Sequence, residues 1–167
     1  MNLLQWLEST PFGEFIFTML VSMIPIVELR GGIPFGAVVL GMPYAAAFVA
    51  AVIGNILPVP FIIVYIRRIF GWMRRHLPKL DSLVDRMEKK AHLKGQKVNK
   101  YKYLGLLIFV AIPLPGTGAW TGSLAAAFLD MPLRKALPSV ILGVLLAGVI
   151  MTILTNLGVN VFSSIMM

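Results

Sequence analysis

Cysteine is absent from the 167 residues, which removes disulfide frameworks, thiolate metal centres and cysteine nucleophiles together. Histidine occurs only as His76 and His92, so a His-rich metal centre is not expected. The HExxH and GxSxG patterns are missing as well, and the reading is of a chain without enzymatic activity, cofactor or metal. Charged residues are scarce at 13%, while 58% are hydrophobic. A soluble domain carries about 25% charge, so too few polar side chains exist here to coat a globule in water. The length fits one domain, 1–167, whose solvent is lipid. The segment Met1–Glu14 carries Glu8 and Glu14 but no Lys or Arg, so it lacks the positive start of a secretory signal and no cleavage is expected.

The charge that is present is unevenly placed. Lys and Arg number 15 against 7 Asp and Glu, a net +8, yet 12 of the 15 lie between Arg67 and Lys102, two more are Arg134 and Lys135, and the last is Arg30. Nucleic-acid binding needs basic residues spread over a soluble face and is not expected. Charge-free runs cover 36 residues from Gly31 to Ile66, 26 from Leu104 to Leu129 and 32 from Ala136 to Met167, whereas about 20 suffice to cross a bilayer. The apolar stretch Phe15 to Val27 has 13 residues and is short for a span.

Two of the apolar segments are interrupted by proline and glycine, at Ile24-Pro25 through Arg30-Gly31-Gly32-Ile33-Pro34-Phe35-Gly36 and at Ile112-Pro113-Leu114-Pro115-Gly116-Thr117-Gly118. Such clusters stop a helix. Residues 104–112 would form a half-helix of roughly 13 Å, reaching about the middle of a 30 Å hydrocarbon layer. The expected architecture is therefore an all-α polytopic membrane protein with re-entrant helical hairpins, whose irregular tips are buried in protein or line a watery cavity.

The chain also repeats itself. Shifted by 89 residues, Ala37–Leu57 matches Ala126–Leu146 at seven of 21 positions, among them Met42-Pro43/Met131-Pro132, Ala47/Ala136 and Gly54/Gly143. A shift of 88 superposes Ile24-Pro25 on Ile112-Pro113. The units are read as repeat 1, about 12–66, a basic connection, 67–102, and repeat 2, about 103–158. Each is a hairpin followed by one span, about 44–66 and 136–158, so the copies are inverted. That arrangement collects 14 of the 15 basic residues on one face, the cytoplasmic side of a cell (plasma or inner) membrane by the positive-inside rule. Within the connection, Leu80, Leu83, Val84, Met87 and Ala91 fit an amphipathic surface helix; a solvated loop that only fixes orientation is the alternative.

Glu28 and Arg30 are the only ionisable residues in the hairpin tips. A charge at the bilayer centre costs about 2.5–3.5 kcal/mol, so the pair reads as functional; the alternative is an ion pair that pins the loop. Helices restarting after Gly31-Gly32 and after Gly116-Thr117-Gly118 would aim N-termini at the midplane, where free N–H groups attract anions. With Arg30, a phosphate or carboxylate could be held there, and Glu28 could carry a proton. The candidate substrate or ion site is Glu28, Arg30, Gly31, Gly32, Pro34, Pro113, Pro115, Gly116, Thr117, Gly118 and Asn55, the glycines also being readable as purely structural. Asn55, mid-span beside Gly54, either lines the pathway or hydrogen-bonds a neighbouring helix; Thr152, Thr155 and Asn156 raise the same question.

At Glu28-Leu29-Arg30-Gly31-Gly32-Ile33-Pro34-Phe35-Gly36 and Pro113-Leu114-Pro115-Gly116-Thr117-Gly118-Ala119-Trp120 the chain resembles the family of putative small multidrug export proteins. Through that family it is similar to the DedA, or VTT-domain, proteins, which include lipid scramblases and undecaprenyl-phosphate flippases. The resemblance implies paired inverted hairpins, with Glu28 as the acid of the first; the second carries no charge, leaving Arg30 as the sole buried cation. The first expectation is a transporter or flippase for an anionic lipid-like substrate, coupled to protons through Glu28. The alternatives are an exporter of hydrophobic cations and a non-transporting membrane scaffold. Membrane lipids and a hydrophobic small molecule are the expected partners, and four membrane segments are few to enclose a pathway, which points to a homodimer.

Overall fold

The computed structural model describes residues 10–76, 101–114 and 116–166. The proposed amphipathic helix at 80–91 lies outside them, as does Pro115. Among the described residues every regular element is helical: α1 Pro11–Met23, α2 Glu28–Pro34 running into a π-turn Phe35–Val39, α3 Tyr44–Ile56, α4 Val59–His76, α5 Lys102–Ala111, α6 Ala119–Phe128 and α7 Leu133–Met166.

Local chemistry sets the ends of these elements. Thr10 caps α1 by accepting the Gly13 N–H at 3.1 Å, with Pro11 in the first helical position, where its missing donor costs nothing. The helix stops at Met23 because Ile24 precedes Pro25 and is driven to extended backbone, φ −70° and ψ 127°. Gly31, Gly32 and Pro34 do not break the chain as their sequence suggests; all three lie inside α2. The break falls earlier, at Ile24–Val27, and Glu28 itself takes the left-handed φ of 48° that ends it. The glycines serve close contact instead: a Cβ on Gly32 would overlap Ser22 Oγ, and one on Gly36 would stand 2.8 Å from Thr18 Oγ1. The small side chains of Ser22 and Thr18 in α1 therefore pack directly on the backbone of α2 and the π-turn.

The stretch expected as one span, 44–66, is apolar and long enough to cross a membrane, as is Leu133–Val161. In the first, Pro58 and Pro60 remove two backbone hydrogen bonds between α3 and α4, because proline brings no N–H, while the chain stays helical at Leu57, φ −55° and ψ −43°. The core runs through Leu29, Ile33, Val52, Val59, Val110, Val140 and Val144, while α7 turns Leu142, Leu146, Val149 and Ile153 outward. Apolar side chains on both faces suit a helix that meets protein on one side and lipid on the other.

The same contacts recur in the second half of the chain. Gly54 meets the carbonyl oxygen of Met19 where a Cβ would stand, and Gly143 meets that of Leu107, at 2.8 Å. Gly32 packs on Ser22, and Gly122 on Val110. The corners match too: Gly41 has φ 71° and Asp130 φ 52°, each followed by Met-Pro, and the Met42 and Met131 N–H groups donate to Gly36 and Ala126 at 3.0 Å. The offset between these positions is 88 before the breaks, 90 within α2 and α6, and 89 from the corners onward. Two more residues lie in the second break, and the π-turn of the first unit absorbs one of its own. Since the space around a Gly41 Cβ is open, Gly41→Ala should cost only the backbone penalty, about 1–2 kcal/mol, read as a lower melting temperature in detergent.

Candidate functional site

The two chain breaks meet, and the contact is built around Glu28. Its position just after the first break, with the backbone reversed, turns the carboxylate toward the second unit. Oε2 lies 3.0 Å from Arg30 Nη2, and Oε1 accepts the Trp120 backbone N–H at 3.1 Å. Side chains two apart on a regular helix do not face each other; the left-handed Glu28 is what allows this pair. Trp120 is the second residue of α6, so the carboxylate occupies a capping place on that helix and meets the positive end of its dipole. Glu28 is 2% exposed, and Arg30 is half-buried beside it.

Arg30 also reaches across the contact, its Nη1 donating to the Leu114 carbonyl in the second break. Trp120 returns the link, its indole N–H donating to Met23 O at 3.1 Å at the end of α1. Between them lies Gly118, with φ 122°. A Cβ there would overlap Glu28 Oε2 and stand 2.6 Å from Arg30 Nη2, so both backbone conformation and space demand glycine. Thr117 shapes the second break from within: its hydroxyl oxygen accepts the Leu114 N–H at 3.2 Å and lies 2.6 Å from Ile112 O and 2.7 Å from Leu114 O. The carbonyl that Arg30 needs is held in place by that turn.

A family model described as "Putative small multi-drug export protein" matches residues 28–150. The chain belongs to that family. With two helical stretches long and apolar enough to cross a bilayer, this export-family chain is a membrane protein. The match begins at Glu28 and takes in Arg30, Asn55, both corners and the whole second break. No curated protein and no solved structure matches the chain.

Of the sequence-expected site residues, Glu28, Arg30, Gly118 and Thr117 belong to the contact, with Pro113 and Gly116 in the same break. Gly31, Gly32 and Pro34 are interior to α2, so no helix begins after the first glycine pair and no N-terminus points from there. The N-terminus of α6 does reach the contact, but the Trp120 N–H is taken by Glu28 and is not open to an added anion. Asn55 is fully buried and, among the described residues, makes no hydrogen bond through either side-chain atom; of its two readings, lining a pathway or bonding a neighbouring helix, the second finds no partner there. Thr152 and Thr155 bond back to the carbonyls of Gly148 and Met151 in their own helix at 2.8 and 2.7 Å. Trp120 was not foreseen as part of the site. Its place two residues after Gly118 marks the first turn of a helix, but nothing local says that a carboxylate 92 residues earlier supplies the cap.

Proposed function

We propose that this export-family membrane protein carries hydrophobic cations, with Glu28 holding the cargo's positive charge in exchange for Arg30. The observation that carries the reading is a carboxylate, 2% exposed, at the meeting point of the two chain breaks, already paired with a cation that a charged cargo can replace. In this reading the helix–break–helix units 11–39 and 102–128 are re-entrant hairpins, each followed by a span, and the halves are inverted. The recurring Gly54/Met19 and Gly143/Leu107 approaches support that description. The basic connection 67–102 then lies in the cytoplasm, the membrane is the plasma or inner membrane, and two copies assemble to enclose a path. Displacing Arg30 frees the Leu114 carbonyl and loosens the breaks, and protonation of Glu28 releases the cargo, which couples transport to protons. A cation fits better than an anionic lipid, because the helix N-terminus that would hold a phosphate is capped from within the protein.

Purified protein in liposomes, assayed with ethidium as the hydrophobic cation and a fluorescent prenyl phosphate as the anion, tests this. Glu28→Gln should slow ethidium movement by at least about tenfold, the loss expected of a charge-assisted contact worth ~1.5 kcal/mol or more, while Arg30→Ala keeps or raises it. Ethidium flux unchanged in Glu28→Gln would refute the assignment. Prenyl phosphate flux that requires Arg30, with no ethidium flux, would make the cargo an anion instead, and silence of both variants in both assays would favour a scaffold.

A further inference from the structure

Two lysines from different helices meet on one aromatic ring. Lys102 opens α5 and Lys135 lies in the first turn of α7, and their ammonium groups stand 5.4 and 5.9 Å from the centre of the Tyr103 ring. Tyr103 sits in the seam between α5 and α7, packed against the core. Like charges held this close repel, and a cation in the first turn of a helix opposes the dipole, so the pair does not serve the helices that carry it. Orientation in the membrane does not require the pair either, since basic residues anywhere at this end of the bundle would set it. Asp130, the carboxylate of the neighbouring corner, lines a small cavity beside Ile63 and Val64 of α4 and can offset only one charge among Lys102, Arg134 and Lys135.

We propose that the α5–α7 seam holds an anionic phospholipid, its phosphate between the Lys102 and Lys135 ammonium groups and an acyl chain running over Gly105. The surface beyond the lysines is suited to hydrocarbon. One turn along α5 from Lys102 comes Gly105, exposed and with open space where a Cβ would stand. One turn along α7 from Lys135 comes Pro138, also exposed. Past these two residues, Leu104 and Ile108 on α5 and Leu142 and Leu146 on α7 turn apolar side chains outward. A lipid matches that order, with charge at one end and chains behind it, whereas a soluble phosphate uses only the first part. Lys135 stands near the start of the apolar stretch Leu133–Val161, at the depth where long basic side chains reach headgroups. Basic sites between membrane helices at that depth bind the headgroups of anionic lipids.

The seam is separate from Glu28 and Arg30, and its occupancy can be measured without any flux, so it stands or falls independently of the cargo assignment. Purified, delipidated protein in an uncharged detergent should be melted across titrations of dioleoyl phosphatidylglycerol, of dioleoyl phosphatidylcholine, and of glycerol phosphate as the anion without chains. The expected result is a saturable rise in melting temperature with phosphatidylglycerol and none with the other two. The double variant Lys102→Gln/Lys135→Gln should shift the midpoint to at least about tenfold more lipid. Arg68→Gln, which removes the cation over the Tyr65 ring on α4, should leave the midpoint in place, because that pair lies outside the seam. Gly105→Leu keeps both lysines but fills the space for the chain, and it too should shift the midpoint upward. An equal rise with phosphatidylcholine, a rise with glycerol phosphate alone, or the same shift in Arg68→Gln as in the lysine variant overturns the proposal. If the lysine variant does not fold, Gly105→Leu decides, an unshifted midpoint counting against the seam.

Discussion

Glu28→Ala is expected to lower stability by about 3–5 kcal/mol, the usual consequence of removing one partner of a buried ion pair. Two groups are orphaned by the same change. Arg30 keeps its bond to Leu114 O but loses the carboxylate beside it, and the Trp120 N–H at the start of α6 loses its acceptor. The guanidinium left without its counter-charge is half-buried, so it carries part of the penalty and the unpaired Trp120 N–H the rest. Glu28→Gln keeps an oxygen for Trp120 and should cost less, so the difference between Gln and Ala reports the cap. The double variant Glu28→Ala/Arg30→Ala should be more stable than Glu28→Ala alone, since it removes the stranded charge, and together with wild type and Arg30→Ala the four melting curves close a mutant cycle. If Glu28→Ala melts within about 0.5 kcal/mol of wild type, the range of an inconsequential surface change, the contact between the breaks is not what holds them together.

Gly118→Ala carries the second large effect. Its φ of 122° lies where only glycine is at ease, a strain of about 1–3 kcal/mol for any other residue, and the added methyl would push into the Glu28 carboxylate and Arg30 guanidinium. The neighbouring Gly116 separates the two causes. Its φ is 84°, but its surroundings are open, so Gly116→Ala should pay for backbone alone. Gly118→Ala should therefore lose more stability than Gly116→Ala and, unlike it, should abolish ethidium flux, because the added methyl takes the place of the Glu28 carboxylate that holds the cargo. Equal losses in melting temperature and flux for the two variants would mean that the pair has room to move aside.

Much of this was legible in the sequence because lipid leaves few options. A chain with 13% charge has to explain each buried ionisable residue, and only Glu28 and Arg30 required it, so the site could be found by elimination. The second break was placed correctly because Pro113 and Gly116 both interrupt a helix and no packing reason competes. The first begins where Ile24-Pro25 puts it but ends several residues sooner than expected, because Gly31-Gly32 carries two meanings, a break or a close approach, and only the position of Ser22 shows which one holds. The hydrogen bonds missing at Pro58 and Pro60 leave no mark in hydropathy, which does not register an absent N–H, and 44–66 reads as the single apolar stretch that it is. Trp120 and the Leu114 carbonyl take part through backbone atoms, which leave no residue-type signature.

The π-turn at Phe35–Val39 acts as a phase adjuster. One residue of an α-helix turns the following side chains by about 100°, so an extra residue carried through α2 would have pointed the corner and the small face of α3 away from α1. Widening one turn takes up that residue before the corner, and Ala47 and Gly54 arrive on the same bearing as Ala136 and Gly143. The two halves can thus differ in length and in the chemistry of their breaks while still presenting matched faces, which is what lets the first contact segment carry Glu28 and Arg30 while the second break, 112–118, carries no charge.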